Sequence, residues 1–108
     1  MEMNTAIAAL TALGHATRLS VFRELVKAGP AGRMAGDLGA AIGGIPGATL
    51  SFHLKELVHA GLIRGEQRGR FVCYQADFAA MNGLIGYLTE NCCADSSLDG
   101  CGVNDCRS

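Results

Sequence analysis

ATLSFHLKELVHAGLI, residues 48–63, is the stretch that decides the fold. Leu50, Leu54 and Leu57 recur at helical spacing with Val58 beside them, which predicts a helix over about 48–60 with those residues on its buried face. Gly61 follows as a helix-ending residue in the left-handed conformation. Immediately upstream lies Gly43-Gly44-Ile45-Pro46-Gly47, a dense turn signal. Before that, Met34, Leu38 and Ile42 at i, i+4 and i+8 mark a shorter helix over about 34–42. Two helices joined by a short glycine-rich turn form a helix-turn-helix pattern.

Outward from this pair the chain stays mainly helical. Residues 4–13 read as a helix whose apolar positions Ile7, Leu10 and Leu13 lie three apart. Thr17 is placed to cap a second helix, about 18–28, with Leu19, Phe22, Leu25 and Val26 on one stripe, closed by Gly29-Pro30. Downstream, Leu62–Gln67 and Phe71–Ala76 read as strands joined around Arg68-Gly69-Arg70, with Gly69 supplying the positive φ of a tight hairpin. Asp77 then caps a last helix, about 78–91, with Phe78, Met81, Leu84, Ile85 and Leu88 as its stripe. The expected fold is mainly α with a small β-hairpin, in one domain, since 108 residues leave no room for a second. An apolar content of 49% is enough for a core, yet no apolar run approaches a membrane span of roughly 18 residues. The N-terminus lacks the basic region of a signal peptide, so the chain is expected in the cytoplasm.

The net charge of −1 conceals an asymmetry. Residues 1–89 hold eight Lys/Arg against six Asp/Glu, a balance of +2, whereas residues 90–108 hold four acids against Arg107, a balance of −3. Lys55, Arg64, Arg68 and Arg70 fall close together, and a local basic patch matters more for DNA than total charge does. On the helix over 48–60, turning the leucines inward leaves an exposed arc centred on Phe52. Thr49, Lys55, Glu56 and His59 share that arc, with Ser51 and His53 at its margins. Thr49, Ser51 and Phe52 occupy the first turn, the part of a recognition helix that meets base edges. Hydroxyls donate or accept at bases, an apolar ring touches a thymine methyl, and Lys55 suits a phosphate. An ordinary solvated helix face would account for the polar residues but not for Phe52. Arg68 and Arg70 at the hairpin tip have the form of a wing gripping backbone or minor groove, where the bland reading is a soluble turn.

Four of the five cysteines, Cys92, Cys93, Cys101 and Cys106, sit in the last seventeen residues, in NCCADSSLDGCGVNDCRS. That segment is small, acidic and too poor in apolar residues to fold alone, so residues 92–108 are expected to be a flexible cysteine-rich tail on a domain spanning 1–91. In a reducing compartment such a cluster reads as a metal or redox site rather than a set of staples. Cys73 lies in a strand, apart from the cluster, with a structural role. No His–Cys pair or paired carboxylates support catalysis, and an enzyme is not expected.

The segments ALGHATRLSVFRELVKAG (12–29), ATLSFHLKELVHAGLI (48–63) and GRFVCYQA (69–76) together resemble the ArsR/SmtB family of winged-helix repressors, which sense metals and metalloids. The resemblance covers residues 5–90. It implies a winged helix-turn-helix homodimer joined through its first and last helices, reading a two-fold operator in double-stranded DNA. Matched to the family's recognition motif, Ser51, His53 and Lys55 are implied DNA contacts, with Thr49 and Phe52 beside them. The chain also departs from the family. Many arsenic sensors carry a Cys-Val-Cys box before the turn, where this chain has Arg33-Met34-Ala35-Gly36-Asp37-Leu38. Zinc-type members place ligands on the last helix, where residues 79–88 offer no histidine. Some metalloid-responsive members use cysteines at the end of the last helix, and Cys92–Cys93 match that placement.

Soft thiolates select thiophilic ions, and trivalent arsenic or antimony takes three in a pyramid. Cys92 and Cys93 offer two ligands, and Cys101, between Gly100 and Gly102, is the expected third, with Cys106 secondary. The expected inducer is therefore trivalent arsenic or antimony, inorganic or as an organoarsenical. Three alternatives stand beside it. The same thiols could form a redox switch, or a tetrahedral zinc site, although adjacent cysteines lack the usual spacer, or the tail could be passive on a plain DNA-binding module.

Overall fold

The computed structural model describes residues 1–95. Five α-helices and a three-stranded antiparallel sheet follow in the order α1 (Met3–Leu13), α2 (Ala16–Ala28), a 3-10 turn (Gly29–Ala31), β1 (Arg33–Met34), α3 (Ala35–Ala41), α4 (Gly47–His59), β2 (Ile63–Arg68), β3 (Phe71–Ala76) and α5 (Phe78–Thr89). The sheet order is β1-β3-β2. This is the winged helix-turn-helix fold that the sequence predicts, with α3 and α4 as the helix pair and β2–β3 as the wing.

The core forms where the helices cross. Val21, Phe22 and Leu25 of α2 meet Leu38 of α3 and Leu50, Leu54 and Leu57 of α4, and Leu62, Ile63 and Ala76 close the cluster from the sheet. Leu25, Leu38 and Leu57 are entirely inaccessible to solvent, each stabilising the fold by about 2 kcal/mol through burial alone. Val58, expected on this face, is instead exposed: it lies one residue past Leu57 and turns off the stripe.

Helix α1 turns alanine inward. Ala6, Ala9 and Ala12 are buried, because their small side chains let α1 lie close on its neighbours, and Met3, Ile7 and Leu10 are left on the outer face. Helix α5 does the same with larger residues. Leu84 is buried, whereas Ile85 and Leu88 are more than half exposed. The first and last helices touch each other and both present apolar side chains outward.

Three local features differ from the sequence expectations. The cap of α2 is His15, whose Nδ1 accepts from the Thr17 amide at 3.2 Å, so the helix starts two residues earlier than Thr17 capping would give. The two-residue strand β1, which carries no periodicity to read, pairs Arg33 with Tyr74 and Met34 with Cys73. Its approach to β3 depends on Gly32, at φ 72°, where a Cβ would fall 2.3 Å from the Tyr74 carbonyl oxygen. The last helix ends at Thr89, and its Asp77 cap accepts from the Ala80 amide as expected.

Candidate nucleic-acid interface and thiol pair

Helix α4 opens at Pro46, whose ring carries no acceptor to cap it, so the amides of the first turn face outward at the positive end of the helix dipole. Thr49, Ser51, Phe52, Lys55 and His59 are exposed along one side, and Phe52 keeps about half of its surface in solvent. The structure thus brings Thr49, Ser51, Phe52 and Lys55 together on one outward face of a 13-residue helix. Lys55 makes no ion pair with any described residue.

His53 is placed differently from the sequence expectation. It is 6% exposed rather than at the margin of the arc, because the helix rotates it onto the leucine side, toward α2. There the Arg18 Nε donates to His53 Nδ1 at 3.2 Å. Burial pushes the imidazole pKa below its usual range, and the nearby His15 and Arg18 push the same way, against a weaker opposite pull from Glu56.

The wing is a two-residue hairpin. Arg68 pairs with Phe71 across it, and Gly69, at φ 65°, takes the first turn position that a type II′ turn reserves for glycine. Every residue of β2 after Ile63 is exposed. Arg70 extends without an ion-pair partner among the described residues, whereas the Arg68 Nε donates to Glu66 Oε1 at 2.7 Å. Phe71 at the start of β3 is 61% exposed, a second outward aromatic that the strand pattern did not single out as functional. Arg64 is exposed on β2. Cys73 is buried on the inner face of β3, its thiol donating to the Ala31 carbonyl at 3.4 Å, a packing role as expected.

Beyond α5 the backbone turns sharply. Asn91 and Cys93 take positive φ values of 59° and 64°, which non-glycine residues seldom adopt. Residues on an extended chain point alternate ways. Here the turn instead brings Cys92 Sγ and Cys93 Sγ within 3.4 Å of each other, both exposed. Cys101 and Cys106 lie outside the described residues. Among the described residues no cluster of three or more His, Cys, Asp or Glu could hold a metal ion. No described helix is long and apolar enough to cross a membrane.

A helix-turn-helix domain family model matches residues 13–66, half of the chain. Among solved structures, an ArsR-like transcriptional regulator from Rhodococcus sp. RHA1 superposes with a TM-score of 0.70 at 25% identity, over 85% of this chain and 82% of that one. HlyU from Vibrio cholerae superposes with a TM-score of 0.63 at 26% identity, over 82% of this chain and 97% of that one. The homodimeric winged helix-turn-helix DNA-binding domain of Mb0332 from Mycobacterium bovis, at 21% identity and a TM-score of 0.64 over 82% of each chain, shares the fold. No curated protein matches the chain.

Proposed function

The chain belongs to the helix-turn-helix domain family in its winged ArsR form, a family of DNA-binding transcriptional regulators rather than enzymes, and from that footing we propose that it is a homodimeric repressor that leaves its operator when trivalent arsenic or antimony binds its C-terminal cysteines. Residues 1–91 form the DNA-binding and dimerisation domain in this reading, and residues 92–108 the sensing segment. Thr49, Ser51 and Phe52 meet base edges, and Lys55, Arg68 and Arg70 hold phosphates. The outward apolar side chains of α1 and α5 (Met3, Ile7, Leu10, Ile85 and Leu88) supply the subunit contact, in keeping with the homodimeric state of the Mycobacterium bovis domain.

The observation that carries the sensing role is the thiol pair. A soft ion bonded at about 2.3 Å to two sulfurs, the length typical of a zinc–thiolate bond, holds them about 3.4 Å apart when the angle at the ion is near 95°, and about 3.8 Å apart when it is tetrahedral. The Sγ separation of 3.4 Å is within reach of either geometry, so the pair can offer two thiolates to one ion. Cys101 is the proposed third ligand, with Cys106 secondary. The pair follows directly on α5, the helix with the exposed apolar face, so an ion that draws in further thiolates acts next to the subunit contact. Such an ion shifts the DNA-bound population only by its differential affinity for the two forms. The test is release of a labelled duplex by arsenite, antimonite, zinc or an oxidant from the reduced protein. Release by an oxidant alone would replace the metalloid reading with a redox switch.

A further inference from the structure

His53 lies between the reading face and the rest of the protein. Its ring packs edge-on against Phe52, which faces outward, with centroids 5.5 Å apart. On the inner side its centroid is 4.6 Å from that of His15, the residue that caps α2. Arg18 binds it through Nε and reaches the Ala12 carbonyl of α1 through Nη1 at 3.5 Å. One guanidinium thus ties the end of α1, the first turns of α2 and the middle of α4. Helix α1, which exposes an apolar face, and helix α4, which presents Phe52, meet at this joint.

We propose that Arg18 and His53 are a positioning pair that fixes how α4 is seated on α1 and α2, and that only neutral His53 seats it for DNA, so that acidification weakens operator binding. The proposal rests on the DNA-reading role of α4. Because Arg18 is always a cation and a donor, His53 Nδ1 must be the acceptor, which places the ring proton on Nε2. Protonating Nδ1 turns it into a second donor facing a donor. The Arg18 bond is lost, and a second positive charge is set against the Arg18 guanidinium. The groups facing this ring are His15 and Arg18 at the start of α2 and Glu56 from α4, with His59 lining a cleft that Arg18 and Glu56 share; α1 contributes the Ala12 carbonyl. Only Glu56 favours the charged ring. The sign is diagnostic, because added positive charge on a DNA-binding surface by itself tightens DNA binding.

The experiment uses a labelled duplex enriched from a random pool by the wild-type protein, with affinity read by anisotropy at pH 7.5 and 5.5 at fixed ionic strength. Loss of one charge-assisted hydrogen bond at each of two half-sites should weaken wild-type binding as the pH falls toward the lowered pKa of His53, by about fivefold or more once the ring is protonated. His53→Asn keeps an acceptor for Arg18 in its Oδ1 and does not titrate. It should show no acid weakening, with a pH 5.5 affinity equal to or tighter than its own at pH 7.5. Arg18→Gln should flatten the profile as well, and melting curves at both pH values establish that each variant is folded. A wild-type affinity that rises on acidification, or an acid weakening that persists in folded His53→Asn, overturns the proposal and leaves the DNA-reading role standing. Failure of the wild type to enrich any duplex overturns that role itself.

Discussion

Removing Lys55 and Arg70 together tests which surface meets DNA. Both side chains are exposed and neither is committed to an ion pair among the described residues, so each is available to a phosphate. In the proposed two-fold dimer each residue occurs twice, so the double variant Lys55→Ala/Arg70→Ala should remove four phosphate contacts. Each contact contributes about 0.9 to the slope of log affinity against log salt, so the slope should become shallower by about 3.6. Between 50 and 200 mM salt, the variant should therefore be spared roughly a hundredfold of the affinity loss that the wild type suffers. Fold stability should be unchanged, because neither residue is buried. The assay is a salt titration of a labelled duplex followed by anisotropy, with thermal melting alongside. An unchanged salt slope in the folded double variant would refute the assignment of α4 and the wing to the interface.

Three further expectations follow from the geometry. Leu88→Glu places a charge on the exposed face of α5 and should convert the dimer to monomer by sedimentation while the melting temperature of the monomer fold is retained; a folded dimer would show that this face is not the contact. Leu84 is buried within the subunit, so a charge there would unfold it and would not report on the dimer. Gly32→Ala should destabilise the fold by roughly 3 kcal/mol, seen as a melting temperature lower by more than about 10 °C, because the new Cβ meets the Tyr74 carbonyl and the backbone sits at positive φ; a wild-type melting curve would contradict the tight β1–β3 approach. Glu66→Gln frees Arg68 from its carboxylate and should tighten duplex binding about threefold with a steeper salt slope, whereas weaker binding would mean that Glu66 aligns Arg68 for its contact.

The helix pair and the wing were legible because their signals are local. The leucine spacing of α4, the glycine-rich turn before it, Gly69 in the hairpin and the Asp77 cap each act within a few residues. What the sequence did not disclose depends on distant partners. His53 lies between Leu57 and Thr49 on the helical wheel, at the edge between the two faces, and its burial is decided by packing against Arg18, thirty-five positions away. Strand β1 is two residues long and exists only because β3 accepts it. The alanine face of α1 was masked by the larger Ile7 and Leu10, since periodicity reads side-chain size and not how closely two helices approach. Phe71 reads as an ordinary strand residue until the wing is seen to stand free of the core. The exposed arc of Thr49, Ser51, Phe52 and Lys55 was legible, and so was the pairing of Cys92 with Cys93, although not the positive φ values that turn the two sulfurs toward each other.

If the C-terminal thiols release the protein from DNA, substituting Cys92 or Cys93 should abolish that release. Reduced wild-type protein, Cys92→Ser and Cys93→Ser would each be bound to the same labelled duplex and titrated with arsenite and antimonite. Duplex affinity should be equal for all three before addition, because neither cysteine lies in α4 or the wing. The wild type alone should be released, with Cys101→Ser also failing to respond to the inorganic ions. Release of the Cys92→Ser and Cys93→Ser variants at the same arsenite concentration as the wild type would contradict the sensing role.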